Sequence, residues 1–145
     1  MADKYGIQFA MVPIDNEAIK ATPVPAAAVL PVFAAPGGIN CRIEVYSVSV
    51  GYMGVIPIDG THAFTGDLNF HDASADTDTV LENDYNFKST NSALVLKETT
   101  TFWQGVQSLD PGDTLSLVTT ITTPDTAGDG GFFLVAYRVK EYGGQ

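Results

Sequence analysis

"CRIEVYSVSVGYM", residues 41–53, is the stretch on which the fold turns. Successive side chains of an extended strand point to opposite faces, so Ile43 and Val45 fall on one face and Tyr46, Val48 and Val50 on the other. Apolar groups on both faces mark a strand covered on either side, which places it in the middle of a sheet. Gly51 and Gly54 then signal a bend or bulge where it ends.

Strand signals continue on the C-terminal side. "GVIPIDG" (54–60) is a short strand that Pro57 confines to an edge or a bulge. "DLNF" (67–70) and "DYNFKS" (84–89) are further strands, with "HDASADTDT" (71–79) as a polar loop between them. "NSALVLKETTTFW" (91–103) alternates more clearly. After a "DPGD" turn (110–113), Leu115, Leu117, Thr119 and Ile121 alternate with Thr114, Ser116, Val118 and Thr120. "AGDGG" (127–131) is a second turn, and Phe133, Val135, Tyr137 and Val139 share one face of the last strand, with Arg138 and Lys140 on the other. Turn signals recur roughly every ten residues and no amphipathic helix of three turns appears, a pattern that points to an antiparallel β-sandwich or barrel.

The N-terminal side reads differently. "YGIQFAMVP" (5–13) is a short extended segment ended by proline, and "DNEAIK" (15–20) has room for one or two helical turns capped by Asp15. "ATPVPAAAVLPVFAAPGG" (21–38) has no charged or amide side chain, and prolines at 23, 25, 31 and 36 rule out a regular helix or an inner strand. Acidic residues before it and prolines within it argue against a signal peptide, and it is too broken to span a membrane. So apolar a segment needs a surface to lie against, on its own domain or on a neighbour. The expected organisation is an extended arm over 1–38 and a β-sandwich domain over 39–145. Pro23, Val24, Pro25, Val29, Leu30, Pro31, Val32 and Phe33 are the candidate interface, which a chain lacking residues 1–38 would test.

Seventeen acidic residues against seven basic ones give a formal charge of −10, which repels phosphate backbones and anionic lipid, so neither nucleic acid nor membrane is an expected partner. The single cysteine, Cys41, excludes an intrachain disulfide and reads as a small buried hydrophobe. Asp72, Ser74 and Asp76 match the first three ligand positions of an EF-hand loop, which makes Asp72, Asp76 and Asp78 the calcium candidates. The match fails at the sixth position, Thr77 in place of Gly, and at the twelfth, Asn83 in place of Glu, so a solvated acidic loop is the plainer reading. No serine sits in a nucleophile elbow, His62 and His71 lack metal-ligand spacing, and no phosphate-binding glycine loop occurs, so no catalytic residue, cofactor or enzyme activity is expected. Trp103, Tyr46, Tyr52, Tyr85, Phe102 and Tyr137 would serve as core or as a sugar-stacking platform.

A short acidic chain with an Ala/Pro-rich N-terminal stretch and a β-rich domain ending "GDGGFFLVAYRVKEY" (128–142) resembles, in layout, the capsid decoration or cement proteins of tailed bacteriophages. The resemblance implies an all-β sandwich of jelly-roll or β-tulip type that assembles as a homotrimer on the outer capsid surface of the virion. It implies the major capsid protein as partner, an arm that clamps adjacent capsomers, and stabilisation of the shell without catalysis. The alternative from the residues themselves is a carbohydrate-binding or receptor-binding β-sandwich module using the aromatics and the acidic loop.

Overall fold

The computed structural model describes residues 6–14, 28–36, 40–52, 64–86, 99–121 and 131–141. Among these residues there is no helix, and the strands are β1 (Gln8–Pro13), β2 (Ala28–Ala34), β3 (Cys41–Tyr52), β4 (Phe64–Asp72), β5 (Thr77–Asn86), β6 (Thr99–Leu109), β7 (Thr114–Ile121) and β8 (Gly131–Glu141). They form two four-stranded antiparallel sheets, ordered β1-β8-β3-β6 and β2-β7-β4-β5. The chain is therefore all-β and sandwich-like. Only β4 and β5 are neighbours both in the chain and in a sheet, and the last two strands, β7 and β8, lie in different sheets.

One core joins the two inner faces: Leu30 and Val32 of β2, Leu68 of β4, and Leu115 and Leu117 of β7 meet Val45 and Val48 of β3, Leu109 of β6, and Phe133 and Val135 of β8. Aromatic pairs cross between the sheets at both flanks, Phe33 to Tyr137 with ring centroids 5.0 Å apart and Tyr85 to Phe102 at 5.2 Å. The alternation expected of the last two strands holds, with Leu115, Leu117, Thr119, Phe133 and Val135 buried.

β3 is central, as its two apolar faces require, but those faces are not both core. Against β8, pairing slips between Val45 and Ser47 and leaves Tyr46 as the extra residue, a bulge in β3; against β6 the slip at the same place has the opposite sense, with Gly105 and Val106 of β6 spanning the step that Tyr46 spans in β3. An extra residue inverts the alternation beyond it, so Ile43 and Val45 before the bulge and Val48 and Val50 after it all point inward. Tyr46 and Ser47 are left half-buried. Gly51 has a separate reason: the tip of the Phe132 ring lies against it, and a Cβ there would sit too close to Phe132 Cζ without a shift of the ring.

Within the stretch read as an arm, residues 8–13 pair with β8 and residues 28–34 pair with β7. β2 is an edge strand, the one place in a sheet where proline's missing N–H does little harm, and the ladder slips between Pro31 and Phe33. The polar loop read over 71–79 narrows to a turn at 73–76, because edge strand β5 begins at Thr77 and its polar residues hide its alternation. β6 runs on through Leu109, past the expected end at Trp103. The segments read as a strand at 54–60, helical turns at 15–20 and a turn at 127–131, together with residues 91–98, lie outside the described residues, apart from Gly131.

The "DPGD" turn is a structural junction. Asp113 N–H donates to Asp110 O at 3.0 Å, and Gly112 takes φ +95°, the left-handed position a type II turn assigns to glycine. Asp113 is 4% exposed, and its carboxylate accepts from Asp110 N (2.9 Å) and from Ala73 N of the β4–β5 turn (2.9 Å). Its carbonyl accepts from Ala35 N at 2.9 Å, and Gly112 N returns a bond to Ala35 O at 3.1 Å. One residue thus ties together the end of β2, the β4–β5 turn and the β6–β7 turn.

Candidate interaction surface

β1 reads Gln8-Phe9-Ala10-Met11-Val12-Pro13, and its alternation is complete. Ala10 and Val12 pack against the core from within. Phe9 and Met11, with Ile7 just before the strand, face outward and are 66%, 61% and 52% exposed. Register places Phe9 opposite Ala136, Met11 opposite Leu134 and Pro13 opposite Phe132, so β8 extends the same outward apolar surface. Beyond β8, Leu134 faces Ser49 of β3, whose hydroxyl is 2.8 Å from that of Thr101.

The other end of this outer face is ionic. Glu44 accepts from Tyr46 Oη at 2.9 Å and pairs with Lys140 Nζ at 3.0 Å, while the Arg138 guanidinium lies 5.7 Å from the centre of the Tyr46 ring. Burial first, then the bond to Glu44, raises the Tyr46 hydroxyl above its ordinary pKa. Arg42 pairs with Asp110 at 3.0 Å. Arg42 and Lys140 are matched to acids of the same chain and Arg138 lies over an aromatic ring, so this end is ionic while the β1 end carries the apolar surface.

The candidate interface residues divide. Pro23, Val24 and Pro25 lie outside the described residues. Leu30 and Val32 are 1% and 0% exposed, committed to this chain's own core. Val29 and Pro31 are exposed, Phe33 is half-buried against Tyr137, and with Val12 of β1 these three help line an apolar groove of about 380 Å³ where the edges of the two sheets meet. Ile7, Phe9 and Met11 were not among the candidates. The sequence signal for them is apolar residues at both parities of "GIQFAMV" (6–12), one set of which a sheet edge leaves outside.

Of the calcium candidates, Asp72 is occupied by its own turn. Its Oδ1 accepts from Ser74 Oγ (2.7 Å), Ser74 N (2.9 Å) and Ala75 N (3.0 Å). Asp78 Oδ1 lies 2.9 Å from His71 Nδ1, and Asp76, at φ 52°, lies 3.9 Å from His71 Nε2. Among the described residues no three potential ligands converge on a metal position. The bonds to Asp72, from the Ser74 hydroxyl above all, hold its carboxyl below the usual carboxylate range. A depressed folded-state pKa supports the turn above the ordinary value of 3.8 and is lost as pH falls through the depressed value. An NMR pH titration should therefore place the midpoint of the Asp72 carboxyl, and of the Ser74 and Ala75 amide shifts that follow it, below 3.8. Titration at the ordinary value would remove this account of the turn.

The aromatic residues are mostly structural: Phe102, Tyr85 and Tyr137 pack in or against the core, while Tyr46 lies on the ionic face. Trp103 is half-buried beside a polar recess of about 390 Å³ shared with Leu81, Glu82, Thr101, Phe102 and Gln104. Cys41 is half-buried at the start of β3. His62 lies outside the described residues. No family model, curated protein or solved structure matches the chain.

Proposed function

We propose that this chain is a non-enzymatic virion structural protein that binds the outside of a phage capsid, with the major capsid protein as partner, and stabilises the shell. The observation that carries the reading is the apolar half of one sheet face, Phe9, Met11 and Leu134, on a chain of formal charge −10. Apolar area removed from water contributes about 25 cal/mol per Å², so a flat apolar sheet face repeated over a symmetric lattice adds binding energy that opposes internal pressure. The acidic remainder suits a surface turned to solvent, away from packaged nucleic acid.

The strand pairing supports a finer fold reading, a jelly roll. β1 pairs with β8, β2 with β7, β3 with β6 and β4 with β5, which is the pairing of one long hairpin rolled into two sheets. Jelly rolls recur in viral capsid proteins and in lectins. The recess at Trp103, with an acid, an amide and a hydroxyl beside an aromatic, supports carbohydrate binding as the second reading.

Purified heads of the encoding virus provide the test. The polypeptide should be present at a copy number matching lattice sites and accessible to antibody on intact particles. Met11→Asp should lower head occupancy about tenfold or more, since setting a carboxylate against apolar surface costs more than about 1.4 kcal/mol. Absence from heads, together with glycan-array binding that Trp103→Ala removes, would replace this reading with the second.

A further inference from the structure

We propose that β1 is a self-pairing edge: two copies of this chain join by antiparallel β1–β1 pairing about a two-fold axis, centred on Phe9. The inference goes beyond capsid binding, because it depends only on the chain itself. An edge strand presents unpaired backbone groups, and proteins blunt such edges with charges, prolines or bulges. Among the described residues three of the four edges carry those devices along their length, and β1 has only the proline at its end, Pro13. β2 has Pro31 and a slip in register, β5 has Asp78, Glu82 and Asp84 and two slips, and β6 has two slips along its pairing with β3. β1 pairs with β8 over Gln8–Pro13 without a slip, and "GIQFAMVPI" (6–14) contains no charged residue.

The phase of the ladder shows which groups are open. Continued past Pro13, the register sets Ile14 opposite Gly131, and Ile14 N donates to Gly131 O at 2.9 Å. Hydrogen bonding to one neighbour alternates along an antiparallel strand, so Gln8, Ala10 and Val12 bond to β8 while Ile7, Phe9 and Met11 direct N–H and C=O to the open edge. Pro13 shares their phase, its missing donor on the open side. Pairing centred on Phe9 sets Phe9 opposite Phe9 and Ile7 opposite Met11 of the second copy, makes about six N–H···O bonds, and leaves Pro13 outside the paired pairs. Two-fold pairing needs one self-complementary strand, whereas a three-fold ring needs β1 to pair with a different, blunted edge. Charge selects the same place: two chains of −10 repel over most of their surfaces, and β1 brings none of that charge to the contact. The joined sheets also align both copies' Phe9 and Met11 on one outer face.

The test is the mass of the full chain in solution without capsid, so its failure is distinct from failure of the proposed function. Sedimentation equilibrium at tens of micromolar should give twice the chain mass of 15.4 kDa, and Phe9→Lys should return a single chain mass. The control Val106→Lys, at an exposed apolar site on edge β6, should leave the doubled mass. Should Phe9→Lys fail to fold, amide exchange of the natural chain decides: Phe9 and Met11 amides gain protection as concentration rises, and lose it on dilution. A single-chain or three-chain mass for the natural protein, a doubled mass that survives Phe9→Lys, or Phe9 and Met11 amides unprotected at every concentration would each overturn the proposal.

Discussion

A chain lacking residues 1–38 will not fold. The deletion removes β1 and β2, one edge strand from each sheet, and with them Ile14, Leu30, Val32 and Ala35 of the core. Burying a side chain the size of Leu, Ile or Val contributes about 1.5–3 kcal/mol, and the space left behind adds a further cost. Three such losses approach or exceed the whole stability of an ordinary domain, about 5–15 kcal/mol. The newly exposed flanks of β7 and β8 would offer unpaired backbone as well. Circular dichroism and thermal melting should show no cooperative transition, and the product should aggregate. A shortened chain that melts cooperatively would show that the sheets do not depend on their first strands. An attachment role for this region must therefore be tested with point substitutions such as Met11→Asp.

Asp113→Ala should lower stability by about 3–5 kcal/mol, which for a chain of this length moves Tm down by about 10 °C or more. The buried carboxylate accepts from two backbone N–H groups, of Ala73 and Asp110. A charge-assisted bond of this type contributes about 1.5–3 kcal/mol, and an orphaned buried donor has its own penalty. Asp113→Asn retains one acceptor but turns an amide N–H toward a backbone N–H, so it should recover less than half of the loss. Asp110→Ala is the comparison. Asp110 pairs with Arg42 at the surface, its side chain 53% exposed, and an exposed pair contributes about 1 kcal/mol or less. Urea melts of the three variants separate these values. An Asp113→Ala protein within about 1 kcal/mol of the natural chain would mean that the junction of the three segments is not held by this carboxylate.

The β class and the inward faces of β7 and β8 were legible because Leu115, Leu117, Phe133 and Val135 keep strict period two. β3 was legible as a central strand, but the inversion at Tyr46 was not: the apolar residues shift from odd positions to even ones there, and that pattern reads equally as a bulge or as two apolar faces until the pairing of the neighbouring strands is known. Partner choice was hidden for the same reason. Composition predicts that the last two strands are strands, and only the shape of the whole sandwich separates them into different sheets. At the interaction surface, hydrophobicity alone drew the reading to residues 21–38. Leu30 and Val32 prove to be internal, while the less conspicuous Phe9 and Met11 lie outside, because exposure depends on which strands end up at an edge.

The pairing of β1 with β8 also sets the order of events in synthesis. The partner of β1 is the final described strand, so their ladder cannot close until β8 has left the ribosome, whereas the β4–β5 hairpin can close earlier. β3 waits for the same partner, and β2 waits for β7. Topologies dominated by such distant pairings fold in milliseconds to seconds, with apolar strands uncovered in the meantime. Nascent chains of this protein should therefore gain from holding chaperones, and the yield of folded protein should rise when encounters between neighbouring unfinished chains are made rarer.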